Sequence, residues 1–387
     1  MKRILPIIVI AQFLCTSLWF AGNAVMSDII QLFRVSPDYL TYLTSTVQAG
    51  FIIGTLLFAI LGVADRFSPS KIFFTCAVIA ASFNLIIGLS GIHLTLLFIC
   101  RFLTGFFLAG IYPIGMKIAS DHYEQGLGKS LGFLVGALVL GTSFPHLLKS
   151  GLGDLPWKYV VFSTSILSVI GGLILFLGVP DGPYRKPGQQ LKLGAFMQSF
   201  KNKNFRAAAF GYFGHQWELY TFWVFVPIIL GHYSKHFKID LNIPLLSFFI
   251  IFSGSIACVI SGLMAKRFGA KKIATLALVL SGCCCVLSPL FLLANSVLVF
   301  LLFLFFWGMV IVADSPLFST LIAQNAPAEL KGSSLTIVNC IGFAITILSI
   351  QFMNLIWVEK NAHYIFMILA LGPVFGLFFM SKRTAKK

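Results

Sequence analysis

Apolar residues fall into twelve long runs, at roughly 4–27, 40–61, 70–90, 93–119, 128–149, 157–179, 205–230, 243–265, 271–293, 296–322, 331–356 and 361–381. A bilayer core about 30 Å thick takes about 20 apolar residues per helix. The pattern therefore predicts an all-α membrane protein with twelve transmembrane helices. The one long polar stretch runs from Asp181 to Asn204, with Pro180, Pro183, Pro187 and Gly188 at its start. Proline and glycine there break helix. The chain thus divides into 1–180, a linker at 181–204, and 205–387, with six runs on each side.

The two halves echo one another. Gly62-Val-Ala-Asp-Arg-Phe-Ser-Pro-Ser-Lys71 is followed two hundred residues later by Gly262-Leu-Met-Ala-Lys-Arg-Phe-Gly-Ala-Lys-Lys272. Ile111-Tyr-Pro113 corresponds to Asp314-Ser-Pro316, Ile118-Ala119 to Ile322-Ala323, and Ser130-Leu131 to Ser334-Leu335. Landmarks recurring at one offset indicate a structural unit used twice. Gly-x-x-Asp-Arg-Phe with a lysine after a short turn resembles the loop between helices two and three of the major facilitator superfamily. The second copy sits where that family keeps a degenerate repeat, between helices eight and nine. Ser68 and Pro69 depart from the family, where a glycine and a basic residue are usual, and Ala265-Lys266 stands where the second aspartate would fall. The resemblance implies two pseudo-symmetric six-helix bundles that bind solute between them near the midplane and work by alternating access.

Charge supports this reading and removes another. A formal charge of +16 invites a nucleic-acid partner, yet 21 of the 28 Lys and Arg fall on one set of alternate connections and at the termini. The opposite connections hold Arg34, Lys149, Lys158, Lys235, Lys238 and Lys360. By the positive-inside rule both termini are cytoplasmic, in the cytoplasmic (inner) membrane. The charge sets topology, and no nucleic-acid partner is expected.

Charged residues make up only 10% of the chain, and three stand out well inside apolar runs, away from the run ends. A charge near mid-bilayer costs on the order of 3 kcal/mol by insertion scales, so it faces a cavity or a partner. These three are Arg101, Glu218 and Asp314, in runs four, seven and ten. Helical spacing puts Gly211, Gly214, His215, Glu218 and Phe222 on one stripe. Glu218 reads as a site for a proton or a cationic solute group tuned by His215, or as half of a structural pair. Asp314 reads as a second acidic site or as the cap of a helix break near Pro316. Arg101 suits an anionic solute, a pairing with Glu218 or Asp314, or snorkelling to the outer interface. In the family, runs one, four, seven and ten line the cavity. Thr16, Trp19 and Asn23 of run one, Tyr112 and Trp307 are then cavity-lining candidates, with tryptophans as ring contacts or interface anchors.

The resemblance also implies a cytoplasmic gate of Gly62, Asp65, Arg66, Lys71 and Arg267. Asp65 would receive a helix dipole from the other half, the bases would bind partners or lipid headgroups, and Asp121 and Glu124 are possible partners. Pro145-His146 follows Gly132, Gly136 and Gly141 where the family's antiporters carry a glycine-rich motif ending in Gly-Pro, and His146 reads as an outer-interface residue or as a titrating residue of the pathway. All eight cysteines lie in apolar runs without CxxC or histidine spacing, so neither disulfide nor metal is expected. Cys283-Cys284-Cys285 reads as helix-packing material. No P-loop is present, so ATP is not expected to drive the protein.

The expectation is a proton-coupled secondary transporter of a small organic solute, without cofactor and not an enzyme, with monomer as the family default. An efflux antiporter for a drug, toxic metabolite or siderophore is one alternative. A membrane sensor that binds solute without moving it is another.

Overall fold

The computed structural model describes residues 4–123, 127–151, 153, 155–185, 198–327 and 330–381, apart from the side chains of Asp65 and Leu127. No strand occurs among them. The chain forms two compact units, Met1–Gln190 and Leu191–Lys387. Residues 186–197, most of the expected linker, lie outside the described residues.

The first unit contains α1 (Ile4–Thr16), α2 (Ala21–Ala24), α3 (Met26–Phe33), α4 (Tyr39–Ile60), α5 (Val63–Arg66), α6 (Pro69–Ile87), α7 (Leu94–Leu108), α8 (Tyr112–His122), α9 (Leu127–Gly151) and α10 (Lys158–Gly178). The second contains α11 (Lys203–Phe237), α12 (Ile243–Phe268), α13 (Ala270–Leu292), α14 (Val297–Val310), α15 (Ser315–Asn325), α16 (Lys331–Ile356) and α17 (Leu371–Ser381). Short 3₁₀ turns at Glu359–Asn361 and Ile365–Ala370 precede α17. Nine apolar spans among the described residues are long enough to cross a membrane, and Ile4–Thr16 and Ile365–Ser381 are shorter apolar pieces. The helix α11 has 35 residues, and it carries Tyr212, His215, Gln216 and Glu218 buried in its middle.

Three of the apolar runs are broken: runs one and four, where continuous helices were expected, and run ten, where a break near Pro316 was one of two readings. Run one unwinds after Thr16, run four after Leu108 and run ten after Val310. In the last two, the new helix begins one residue before Pro113 or Pro316. Proline has no N–H to donate, and the first turn of a helix asks for none. The matched tripeptides therefore mark the same event twice.

Glycine contacts repeat at the same offset. A Cβ on Gly105 would lie 1.9 Å from the Val47 carbonyl oxygen, and one on Gly308 would lie 2.4 Å from that of Ile250. Gly50 abuts the Phe102 carbonyl, and at the corresponding place Ser253 donates to the Phe305 carbonyl at 3.2 Å. Every partner stands 203 residues from its counterpart. So α4 packs on α7 as α12 packs on α14, through small residues that let backbones approach. Gly105→Ala is expected to lower the melting temperature in detergent, because overpacking costs about 1–3 kcal/mol. Gly332→Ala, whose new Cβ would meet nothing within 4 Å, should leave it unchanged.

The echoed loops are not geometric twins. In the first, Gly62 takes a left-handed backbone, φ +60°, between α4 and α5. In the second, Gly262 is buried inside α12 and the turn falls at Gly269, φ +87°. Their 200-residue spacing is out of register with the 203-residue offset of the helix contacts. The two glycines therefore differ in role, while Arg66-Phe67 and Arg267-Phe268 each stand directly before the N-cap residue of the next helix, Ser68 or Gly269.

After α10 the chain folds back on the first unit. Ser68 donates to Asp181 at 2.7 Å, and Arg185 donates to Asp181 at 2.7 Å and to the Phe67 carbonyl at 2.8 Å. Tyr184 N–H donates to the Asp121 carbonyl at 3.0 Å. Arg66, Lys71 and Arg267 are exposed, and Arg267 lies over its neighbour Phe268. Asp121 makes an ion pair with Lys117 at 3.9 Å. Glu124 and the Asp65 side chain lie outside the described residues.

Candidate functional site

The second unit gathers its buried ionisable groups around the break in run ten. Glycines on α11 make this possible. A Cβ on Gly214 would lie 2.2 Å from the Gly372 carbonyl, and one on Gly211 would strike Phe318 and Met380. These contacts bring α11 against α15 and α17, with the His215 and Glu218 face turned inward.

Glu218 and His215 are each 1% exposed, as is Asp314. They share a stripe on α11 yet reach different partners. Glu218 Oε1 accepts from Trp307 Nε1 at 2.9 Å and from Cys285 Sγ at 3.2 Å. His215 Nδ1 lies 2.8 Å from Asp314 Oδ1. Asp314 stands at the N-cap position of α15, but its carboxylate makes no capping hydrogen bond; it meets His215 instead. His215 Nε2 is buried without a hydrogen-bond partner. The wall is aromatic: Phe222 packs on Trp307 with ring centroids 4.6 Å apart, and His215 lies 5.9 Å from Phe318.

The arrangement holds two carboxylates and an imidazole out of water. Glu218 has two donors on one oxygen, whereas Asp314 has only the His215 imidazole near Oδ1 and no hydrogen bond of good geometry. A charged carboxylate buried without a donor is costly. Protonation of either acid or of His215 changes the charge of a dry cluster. A proton or a cationic group could supply that change.

In the first unit Arg101 is 1% exposed rather than snorkelled. It donates to the Leu18 carbonyl at 3.1 Å, to the Trp19 carbonyl, and to Asn84 Oδ1 at 3.2 Å. Residues 17–20 are the break in run one, where unwound carbonyls in a bilayer need donors. Arg101 supplies them. Asn84 in turn donates to the Val161 carbonyl, Thr164 and Ser165 on α10, so one network joins α6, α7, α10 and the break.

The remaining candidates are all placed in the first unit, except Trp307. The Thr16 hydroxyl donates to its own helix at Gln12, and Gly141 on α9 leaves it room. Trp19 is buried and packs on Phe51, 4.9 Å between ring centroids. Asn23 donates to Thr44 at 2.8 Å. Tyr112 opens α8 and is buried. His146 is 3% exposed and lies in the last two turns of α9, which continues through Pro145 to Gly151.

Three residues escaped the sequence reading. Cys285 was expected only to fill space, yet it donates to Glu218. Gln12 and Gln48 are fully buried, and their amides have no hydrogen-bond partner. A buried amide within an apolar run is the signal that would have found the glutamines. Nothing in the cysteine triplet singles out Cys285.

Buried ionisable groups at a helix break in a polytopic helical protein are an arrangement that membrane solute carriers use. Comparison with known proteins narrows this. The sequence profile described as Major Facilitator Superfamily matches residues 8–350, and the chain belongs to that family. It is a multi-pass membrane protein of a solute-transporting family. Among solved structures it is similar to the human organic anion transporter MFSD10 (TETRAN), with TM-score 0.79 and 12% identity over 98% of this chain and 99% of that one. At that identity the likeness is one of fold. No curated protein sequence matches the chain.

Proposed function

We propose that this protein is a proton-coupled secondary transporter that carries a small organic solute across the cytoplasmic membrane by alternating access. In this reading the chain makes twelve spans in two six-helix halves, 1–180 and 205–387, acts as a monomer, and keeps both termini in the cytoplasm. It works as a carrier and not as an enzyme. The observation that carries the reading is the buried Glu218, His215 and Asp314 cluster at the break between α14 and α15.

Glu218 takes up and releases the proton. The His215–Asp314 pair couples that change to the broken helix, because Asp314 stands where α15 begins. Trp307 and Cys285 hold the carboxylate in one orientation. Arg101 is the one buried Lys or Arg among the described residues, and its donors go to the break in run one and to Asn84. The free buried chemistry is therefore acidic and amide, which favours a neutral or cationic polar group on the solute over an anion. The gate is assigned to Gly62, Asp65, Arg66, Lys71 and Arg267 on the family resemblance.

A thermal-shift screen of the purified protein against a broad solute panel at pH 5.5 and 7.5 tests the reading. A ligand that binds only the folded protein raises its melting temperature. The expected hit stabilises wild type in a pH-dependent way, and the dependence disappears in Glu218→Gln. Equal stabilisation of both proteins at both pH values would make Glu218 structural. Export of a toxic compound is the second reading; resistance conferred by expression, with uptake absent, would favour it.

A further inference from the structure

Away from the Glu218 cluster, the end of α11 carries His232 and His236 one turn apart. His363 comes to meet them from the turn ahead of the last helix. The ring centroids lie 5.0 Å apart for His232–His363, 5.5 Å for His236–His363 and 6.2 Å for His232–His236. Beside them Lys235 pairs with Glu359 at 2.6 Å, which joins the same two segments. Trp357 packs on His232 and on Phe225. His232 and His363 also line a small cavity with Ile229, Tyr233 and Trp357. His232 Nε2 and His363 Nδ1 are buried there without hydrogen-bond partners.

We propose that His232 and His363, with His236 packed against both, form a pH-sensitive latch, which ties the end of α11 to the 357–364 connection while these two imidazoles are neutral and releases it when they bind protons. Three imidazoles this close pack well only if uncharged, since each added proton sets like charges side by side. The groups facing the cluster are Lys235 and Tyr233 on α11, and Glu359 and Tyr364 on the connection. Leu292 and Phe300, from α13 and α14, are apolar. Lys235 adds to the repulsion, and Glu359 is already engaged by Lys235, whose ammonium holds its carboxyl below the usual range. Tyr233 donates to the Ala294 carbonyl at 2.8 Å and is engaged as well.

Burial, and then the two neighbouring imidazoles, hold His363 below the usual imidazole range. A histidine depressed in the closed state stabilises that state above its ordinary value, near 6.5. The latch therefore holds at neutral pH and lets go as pH falls through the depressed value. This inference is independent of the role given to Glu218. In the orientation proposed above, this end faces the outside, so an acidic exterior would free the end of α11.

The test is amide hydrogen exchange on the full-length protein in nanodiscs near pH 5 and pH 7.5, read as protection factors corrected for intrinsic rates. Protection of 357–364 in wild type should drop about tenfold or more at the lower pH. His232→Gln with His363→Gln should remove that dependence. If the double variant does not fold, the exposed His236→Gln replaces it and should shrink the drop. Equal protection at both pH values in wild type, or an undiminished drop in the folded variant, would overturn the latch.

Discussion

Uptake driven by a pH gradient is expected to fall by about 100-fold or more in Glu218→Gln, the scale of losing a positioned proton-transfer group. Glutamine fills nearly the same space and keeps an oxygen to accept from Trp307 and Cys285, which lie 2.9 and 3.2 Å from Oε1 in wild type. The helix contacts through Gly211 and Gly214 are untouched. What glutamine cannot do is ionise. Melting temperature and monodispersity should therefore match wild type. Solute exchange across a membrane without a gradient should persist, because exchange needs no net proton movement. The measurement is paired, with gradient-driven uptake and counterflow in the same proteoliposomes. Undiminished uptake in the variant would remove Glu218 from coupling. Loss of both activities would make it part of solute binding instead.

The second large effect is on stability. Arg101→Met should lower folding stability by about 3 kcal/mol or more, since a buried group left without its partner costs about 1–3 kcal/mol. Three acceptors would lose their donor: the Leu18 and Trp19 carbonyls and Asn84 Oδ1. Water cannot replace it, as Arg101 and Asn84 are at most 1% exposed. Thermal unfolding in detergent reads the change directly. Asn84→Ala should show a smaller loss in the same assay, since it also removes the links to Val161, Thr164 and Ser165 but leaves both carbonyls capped. An unchanged melting temperature in Arg101→Met, with solute affinity lost, would return Arg101 to the solute.

The position of the candidate site was legible because charge is rare in this chain. Glu218 and Asp314 stand out in apolar runs, and insertion cost alone says that each needs a company of donors. Spacing placed His215 and Glu218 on one face, and the structure keeps them there. Spacing did not say that they would part, His215 to Asp314 and Glu218 to Trp307 and Cys285. Side chains a turn apart point to the same side, but which neighbour each meets depends on how the facing helices are staggered.

By itself, the sequence determined that this is a helical membrane protein with a repeated unit. Run length is matched to bilayer thickness, and Pro113 and Pro316 mark the equivalent helix starts. These are local properties of the chain and its solvent. Only the tertiary structure decided where run one unwinds, since Ser17-Leu-Trp-Phe20 contains no glycine or proline to announce it. Arg101, more than eighty residues away, supplies donors to the carbonyls of that break. Cys285 likewise gained its role from α13 lying against α11. Hydrogen bonds in a dry interior are made by whatever group packing brings within reach, and no window along the chain contains both partners.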